Sequence, residues 1–136
     1  MPDKTFKLEI VTPQRIVYNG SVVSFTAPGT VGSFQVLHNH APLLSSIGIG
    51  QIKVVDDRGQ EARYATSGGF VEVRENHVVT IAETAERADG IDVDRAKAAL
   101  GRATLRLEEK RSDIDLVRAR AAQARAANRL KIAGRE

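Results

Sequence analysis

The 136-residue chain contains no cysteine and no tryptophan. The absence of cysteine excludes a disulfide framework and thiolate chemistry, and it fits a cytoplasmic protein. No apolar run approaches the roughly 20 residues that a membrane-spanning helix needs. Residues 1–6 enter a strand-like pattern at once and contain no apolar signal segment. These absences predict a protein that is not inserted directly into a membrane.

A second set of absences divides the chain at Asp89-Gly90. Residues 91–136 contain no proline and no aromatic residue, whereas residues 1–90 hold all 4 prolines and 9 of the 11 glycines. The second part has 11 alanines and carries 12 Lys/Arg against 7 Asp/Glu, while the first part carries 8 against 10. Composition therefore predicts a strand-rich domain over residues 1–88 and a basic helical domain over residues 89–136.

Turn-forming sequences recur through the first part. Asn19-Gly20 lies between two short apolar runs and predicts a tight hairpin turn there. Residues 56–59 and Glu75-Asn76 separate further short runs that are rich in valine, isoleucine and aromatic residues. Strands this short and this closely spaced leave no room for helical crossovers, so we expect an antiparallel β-sandwich.

The chemistry available in this domain is sparse. His38, His40 and His77 invite a metal-site interpretation, but no cysteine or carboxylate cluster completes a ligand set, so hydrogen bonding within loops is favoured. Residues 66–69, Thr-Ser-Gly-Gly, lack the glycine that precedes the serine of a nucleophile elbow, and no Gly-Lys-Ser/Thr follows. Adjacent glycines instead indicate a bulge or a close backbone approach. We expect neither a catalytic nor a metal site.

The second part shows helical periodicity. Asp92 precedes an apolar seam at positions 93, 96, 100, 103 and 107, and its side chain suits a helix N-cap. Ser112, with Asp115 three residues later, predicts a second cap. The seam predicted for the second helix comprises positions 114, 117, 121, 124, 127 and 130. Two helices of about 18 residues joined by a short turn predict an antiparallel helical hairpin.

Four arginines follow the helical spacing. Arg95 and Arg102 are seven residues apart, and Arg125 and Arg129 are four apart. If the hairpin closes, Arg95 should lie near Arg129 and Arg102 near Arg125. Such a convergence favours a bound anion, and guanidinium groups suit a polyphosphate. The alternative is a solvated basic face, which composition alone favours. Composition alone likewise favours a permanently docked hairpin over one with two arrangements.

Five sequence segments follow one another along the chain in a specific order and spacing. They are GSFQVL (32–37), NHAPL (39–43), SGGFVEV (67–73), ETAERA (83–88) and IDVDRA (91–96). With these segments, the chain as a whole resembles the ε subunit of bacterial F-type ATP synthase. His38 is a departure, because the family often has proline there. The resemblance implies a β + α fold: an N-terminal antiparallel β-sandwich followed by a C-terminal antiparallel two-helix hairpin.

The resemblance also implies a function. Family members are non-catalytic rotor parts, whose sandwich contacts the γ subunit and the membrane ring of c subunits. Their hairpin either folds down or extends towards the β and α subunits of the catalytic head, where it inhibits ATP hydrolysis. We therefore expect a peripheral protein at the cytoplasmic face of the bacterial inner membrane, in a complex that couples a proton gradient to ATP synthesis.

Some bacterial members bind ATP through an Ile/Leu-Asp-x-x-Arg-Ala motif and arginines on both helices. The resemblance implies that ATP, alone or with Mg²⁺, is a regulatory ligand. No Walker-type loop is present, so we expect bound ATP to be a signal and not a substrate. We expect no required cofactor. In this sequence the matching residues are Glu86, Ile91, Asp92, Arg95, Ala96, Arg102, Arg125 and Arg129.

A nucleic-acid-binding adaptor is the alternative function for the basic hairpin. Against it, the hairpin has no aromatic residue that could stack on a base, and its alanine-rich faces suit helix pairing. We therefore expect no nucleic-acid partner.

Overall fold

The computed structural model describes residues 4–109 and 115–134. The chain divides into two compact units, Met1–Arg87 and Ala88–Glu136. In the described part of the first unit, which we call the sandwich, the strands are β1 Phe6–Val11, β2 Ile16–Ala27, β3 Phe34–Val36, β4 Leu43–Ile47, β5 Gly50–Asp56, β6 Glu61–Thr66, β7 Gly69–Arg74, β8 His77–Ala82 and β9 Ala85–Arg87.

The strands follow the order β4-β7-β8-β1-β2-β5-β6-β9, and β3 pairs with β2. Among the described strands, the pairings are antiparallel except for β1 with β8, which run parallel from Lys7↔His77 to Val11↔Ile81. Two helices follow the sandwich. The predicted fold class is confirmed, with this one parallel pairing as a detail that the sequence pattern did not indicate.

The core of the sandwich consists of the inward-facing members of alternating strand sequences. Leu8 and Ile10 of β1 are fully buried, whereas Lys7, on the opposite face of the strand, is exposed. Phe25 and Ile52 are also fully buried, and they belong to the same apolar cluster. Each fully buried side chain of this size contributes roughly 1.5–3 kcal/mol through removal from water, so period-2 burial is the main source of stability in this unit.

Two of the predicted turns are confirmed. Glu75 and Asn76 join β7 to β8 with φ angles of 51° and 60°, the left-handed pair that a two-residue hairpin turn requires. Between β5 and β6, the Asp56 carboxylate accepts hydrogen bonds from the backbone N–H groups of Arg58 and Gln60, both at 2.9 Å. Gly59 completes that turn with a φ of 80°.

The hairpin turn predicted at Asn19-Gly20 is wrong. Strand β2 runs unbroken through both residues, which pair with Glu9 and Leu8 of β1. The chain reverses earlier, where the Thr12 N–H donates to the Arg15 carbonyl at 2.9 Å. A six-residue ladder with β1 forms if Asn19 and Gly20 stay extended, and this pairing overrides their local turn preference.

The adjacent glycines at 68 and 69 permit a close backbone approach, as predicted. Gly69 has a φ of 148°, and a Cβ atom there would collide with the carbonyl oxygen of Ile81. The Gly68 carbonyl accepts a hydrogen bond from the Glu83 N–H at 2.9 Å. A side chain at position 69 would therefore push β7 away from β8.

The second unit, which we call the helical unit, starts with a 3₁₀ turn at Ala88–Gly90. Helix α1 spans Val93–Glu109, and the Asp92 carboxylate caps it by accepting from the Arg95 N–H at 3.0 Å. Helix α2 spans Leu116–Ile132 and packs against α1. Its N-cap is Asp115, which accepts from the Arg118 N–H at 3.1 Å. The cap predicted at Ser112 lies outside the described residues.

The apolar seam of α1 is largely as predicted, but that of α2 is shifted. Ala96 and Ala103 are buried in α1. In α2, Ala119 and Ala126 are buried, whereas the predicted Val117 is 76% exposed. The predicted positions 124 and 127 are also exposed, Leu130 is buried, and position 114 lies outside the described residues. Alanine recurs around the whole circumference of α2, so the pattern of apolar residues does not show which face of the helix is buried.

Candidate functional site

A side-chain hydrogen bond fixes the register of the two helices. The Gln123 amide of α2 donates to the Thr104 hydroxyl of α1 at 3.3 Å. Arg102 lies two residues before Thr104, and Arg125 lies two residues after Gln123. In an antiparallel pair these two arginines therefore stand at the same level of the hairpin.

Arginines repeat with matching spacing on both helices. The three arginines of α1, and three of the four arginines of α2, are separated by seven and then four residues, which places them on one side of their helix. Members from both helices line one open cavity of about 510 Å³. We call this side of the hairpin the arginine face; it comprises Arg95, Arg102, Arg106, Arg118, Arg125 and Arg129.

Most arginines of the arginine face are not neutralised by a carboxylate of the described residues. Among the described residues, no ion pair is made by Arg95, Arg102, Arg106, Arg118 or Arg125. Guanidinium groups held near one another on a packed hairpin repel, and the repulsion is relieved when an oxyanion accepts hydrogen bonds from several of them. The arginine face therefore has the charge and the donors of an anion-binding surface.

Four of the residues predicted to bind ATP lie around the start of α1. Ile91 and Ala96 are buried. One oxygen of the Asp92 carboxylate accepts from the Arg95 N–H at 3.0 Å, so this residue caps α1. The second oxygen has no partner among the described residues. The guanidinium of Arg95 is exposed on the arginine face, one turn beyond this cap.

Glu86 belongs to the other unit of the chain. It lies in β9, pairs with Ala65 of β6, and is half-buried. Together with Thr12 and Arg15 it lines a pocket of about 260 Å³ in the sandwich. The other predicted ATP-binding residues all belong to the helical unit.

Sequence reasoning missed two members of the arginine face. Arg106 and Arg118 line the 510 Å³ cavity together with Arg125. Their spacing was a usable signal, because Arg106 follows Arg102 by four residues and Arg118 precedes Arg125 by seven.

Two of the histidines noted in the sequence make hydrogen bonds. The His77 ring nitrogen lies 2.7 Å from a carboxylate oxygen of Glu9, and Nδ1 of His40 lies 2.6 Å from the carbonyl oxygen of Ala41. In residues 4–109 and 115–134, no three His, Asp or Glu side chains are grouped so that they could hold a metal ion. In the same ranges, no helix combines the length and the apolar character needed to cross a bilayer.

Two family models match consecutive parts of the chain. Residues 5–88 match the beta-sandwich domain of the ATP synthase Delta/Epsilon chain. Residues 89–134 match the long alpha-helix domain of the same chain.

Individual relatives extend this match over almost the whole sequence. The chain is 54% identical over 135 residues to the ATP synthase epsilon chain of Pelotomaculum thermopropionicum, covering 99% of this chain and 100% of the relative. It is 45% identical over 132 residues to the ATP synthase epsilon chain of Bacillus subtilis, covering 97% and 99%.

Solved structures share the fold at lower identity. A chain of the Euglena gracilis mitochondrial ATP synthase, solved as OSCP/F1/c-ring, matches with a TM-score of 0.70 at 20% identity, covering 99% of this chain and 80% of that one. A chain of the Tetrahymena thermophila mitochondrial ATP synthase central stalk and c-ring matches with a TM-score of 0.60 at 13% identity, covering 93% and 95%. Given both family domains and relatives identical at about half of all positions, this chain belongs to the ATP synthase delta/epsilon family.

Proposed function

We propose that the protein is the non-catalytic ε subunit in the rotor of a bacterial F-type ATP synthase. In this role it couples the γ shaft to the membrane c-ring, so that a proton gradient drives ATP synthesis. It works as a peripheral protein at the cytoplasmic face of the membrane. The observation that carries this proposal is the end-to-end match, at 54% identity, to a relative named as an ATP synthase epsilon chain.

A surface of the sandwich suits a protein partner in the stalk. Leu44, Phe70 and Ile81 lie on the neighbouring strands β4, β7 and β8 and are 73%, 58% and 61% exposed. Phe70 and Ile81 are direct cross-strand partners. Apolar side chains grouped on one exposed sheet face are typical of protein interfaces, and we assign this face to the rotor.

Co-purification tests the assignment to the rotor. We expect the chain to co-purify with the γ subunit and c-ring, and Ile81→Lys to weaken that association. Gln51→Lys is the matched control, because Gln51 is an exposed strand residue on β5. Failure of the unaltered chain to associate with γ would contradict the rotor function, and equal effects of the two substitutions would contradict the docking face.

The helical unit supplies the regulatory part of the proposal. ATP binds to the folded hairpin, with Ile91 and the Asp92 carboxylate at the adenine edge and arginines at the phosphates. Glu86, Arg95 and Ala96 complete the residues assigned to the ligand. The support is the set of five arginines that form no ion pair with other described residues. Bound ATP is a signal and is not hydrolysed here.

Hydrolysis by the complex is controlled through the position of the hairpin. Bound ATP neutralises the arginine face and favours the folded arrangement, which permits hydrolysis. When ATP is scarce, the helices extend into the catalytic head and inhibit it. A ligand shifts such an equilibrium only through its different affinities for the two states, typically by about 1–3 kcal/mol.

Locking the hairpin tests the switch. Because the chain has no cysteine, a Thr104→Cys/Gln123→Cys variant offers two unique thiols across the contact between the helices. We expect a short bismaleimide to join them and to leave ATP hydrolysis by the complex uninhibited at low ATP. The same variant without reagent, and the single Thr104→Cys variant with it, should remain inhibited. Full inhibition by the cross-linked protein would contradict the switch.

A further inference from the structure

The cavity on the arginine face is separate from most of the residues assigned to ATP. It lies along α2, and of the eight residues assigned to ATP only Arg125 lines it. Arg106 follows Asp92 by 14 residues, which corresponds to about 21 Å along the axis of α1. A nucleotide whose adenine lies at Asp92 therefore leaves this end of the arginine face uncovered.

The groups that line the cavity favour a compact anion. Three arginines, Arg106, Arg118 and Arg125, line the cavity together with one acidic residue, Asp115. One oxygen of Asp115 is already bonded to the Arg118 N–H at 3.1 Å. The lining therefore has a net positive charge and several guanidinium groups that can donate hydrogen bonds. It also lies beside the first turn of α2, whose backbone N–H groups add positive potential.

The rest of the lining adds no further hydrogen-bonding side chain. It consists of the small apolar side chains of Val117, Ala119, Ala121 and Ala122. These offer no aromatic ring for a base to stack on and no side-chain hydroxyl or amide for a sugar. Inorganic phosphate and pyrophosphate need only the charged donors, and both fit easily within about 510 Å³.

We propose that the helical hairpin carries a second anion site, formed by Arg106, Arg118 and Arg125, that binds inorganic phosphate or pyrophosphate. Arg106 belongs to α1 and the other two belong to α2, so a bound anion bridges the helices and stabilises the closed hairpin. The hairpin then responds to inorganic phosphate as well as to ATP. The site shares Arg125 with the proposed nucleotide site, but it does not require nucleotide binding at Ile91 and Asp92.

Calorimetric titration of the full chain with pyrophosphate tests the site. We expect saturable binding of one pyrophosphate, weakened by about tenfold or more in the Arg106→Ala/Arg118→Ala variant, since two of three donors are removed. The matched control is Lys97→Ala/Arg120→Ala, which removes one exposed cation from each helix outside the arginine face. The control should bind pyrophosphate within about twofold of the unaltered chain. Circular dichroism verifies that both variants remain helical.

A second titration separates this site from the nucleotide site. We expect Asp92→Asn to weaken ATP binding and to leave pyrophosphate binding unchanged, and Arg106→Ala/Arg118→Ala to do the reverse. The proposal is overturned by the absence of saturable pyrophosphate binding, by equal losses in the control variant, or by equal losses of both ligands in Arg106→Ala/Arg118→Ala. If ATP fails to bind while the pyrophosphate results hold, the nucleotide proposal fails and this one stands.

Discussion

The Nε2 group of Gln123 donates a hydrogen bond to Oγ1 of Thr104 at 3.3 Å, and this contact links the two helices of the hairpin at a defined register. One consequence is that Arg102 and Arg125 stand at the same level. The other is that closing the hairpin concentrates positive charge on one side. Under the proposed function, closure is thereby coupled to the supply of anions.

The stability of the helical unit should depend on salt concentration. We expect the thermal unfolding of the helical unit, followed by circular dichroism at low ionic strength, to shift to higher temperature when salt is added, because screening weakens repulsion along the arginine face. Arg102→Gln should raise stability at low salt by about 0.5 kcal/mol and reduce the salt dependence. Lys97→Gln on the other side of α1 is the control. The same salt dependence in both variants would contradict convergence of the arginines.

The second prediction concerns two buried threonines. Thr80 is fully buried, and its hydroxyl has no hydrogen-bond partner among the residues that the structure describes. Thr66 is also buried, but its hydroxyl accepts from the Gly68 N–H at 3.2 Å. We expect Thr80→Val to stabilise the sandwich by about 1 kcal/mol and Thr66→Val to destabilise it by a similar amount. Urea unfolding measures both, and destabilisation by Thr80→Val would indicate that its hydroxyl is satisfied in solution.

The third prediction compares two glycines with positive φ. Gly69→Ala should lower the free energy of unfolding by about 3 kcal/mol or more, because backbone strain at a φ of 148° adds to a collision of the new Cβ atom with the Ile81 carbonyl. Gly59 has a φ of 80° and open space around it, so Gly59→Ala should cost only about 1 kcal/mol. Chemical unfolding of both variants gives the difference. Equal costs would mean that β7 and β8 do not approach closely at Gly69.

The fourth prediction concerns alkaline pH. Burial raises the pKa of Tyr18, and the nearby Asp56 carboxylate raises it further. As the pH rises above about 10, the unfolded chain therefore loses the Tyr18 proton before the folded chain does. The contribution of Tyr18 to stability is complete below that pH and is lost above it. Between about pH 9 and 11.5, the urea midpoint of the Tyr18→Phe variant should decline less steeply than that of the unaltered chain. Parallel declines would contradict a raised pKa of Tyr18 in the folded protein.

The sequence was sufficient for the features that depend on strong local signals. The helix cap at Asp92 and the turn at Glu75-Asn76 were predicted correctly, because each is decided by a few neighbouring residues. The turn at Asn19-Gly20 was predicted wrongly, because six backbone pairs with β1 outweigh the preference of two residues. Local propensity is a weak guide where a long strand can form.

The candidate site could be predicted from the sequence only in part. The apolar seam of α2 was misplaced, because a helix with alanine on every side gives little contrast between Ala119 and its exposed neighbours. Arg106 and Arg118 were overlooked, although their spacing is regular. Their common cavity depends on the register that Gln123 sets with Thr104, and that register cannot be obtained from either helix alone.

The most direct test of the regulatory proposal is calorimetric titration of the isolated chain with ATP and Mg²⁺. We expect saturable binding of one ATP that is weakened about tenfold or more by Arg125→Ala, which lies on the arginine face, and little by Arg120→Ala, which is exposed outside it. The absence of binding at millimolar ATP, or equal weakening by the two substitutions, would contradict the assignment of ATP to the hairpin.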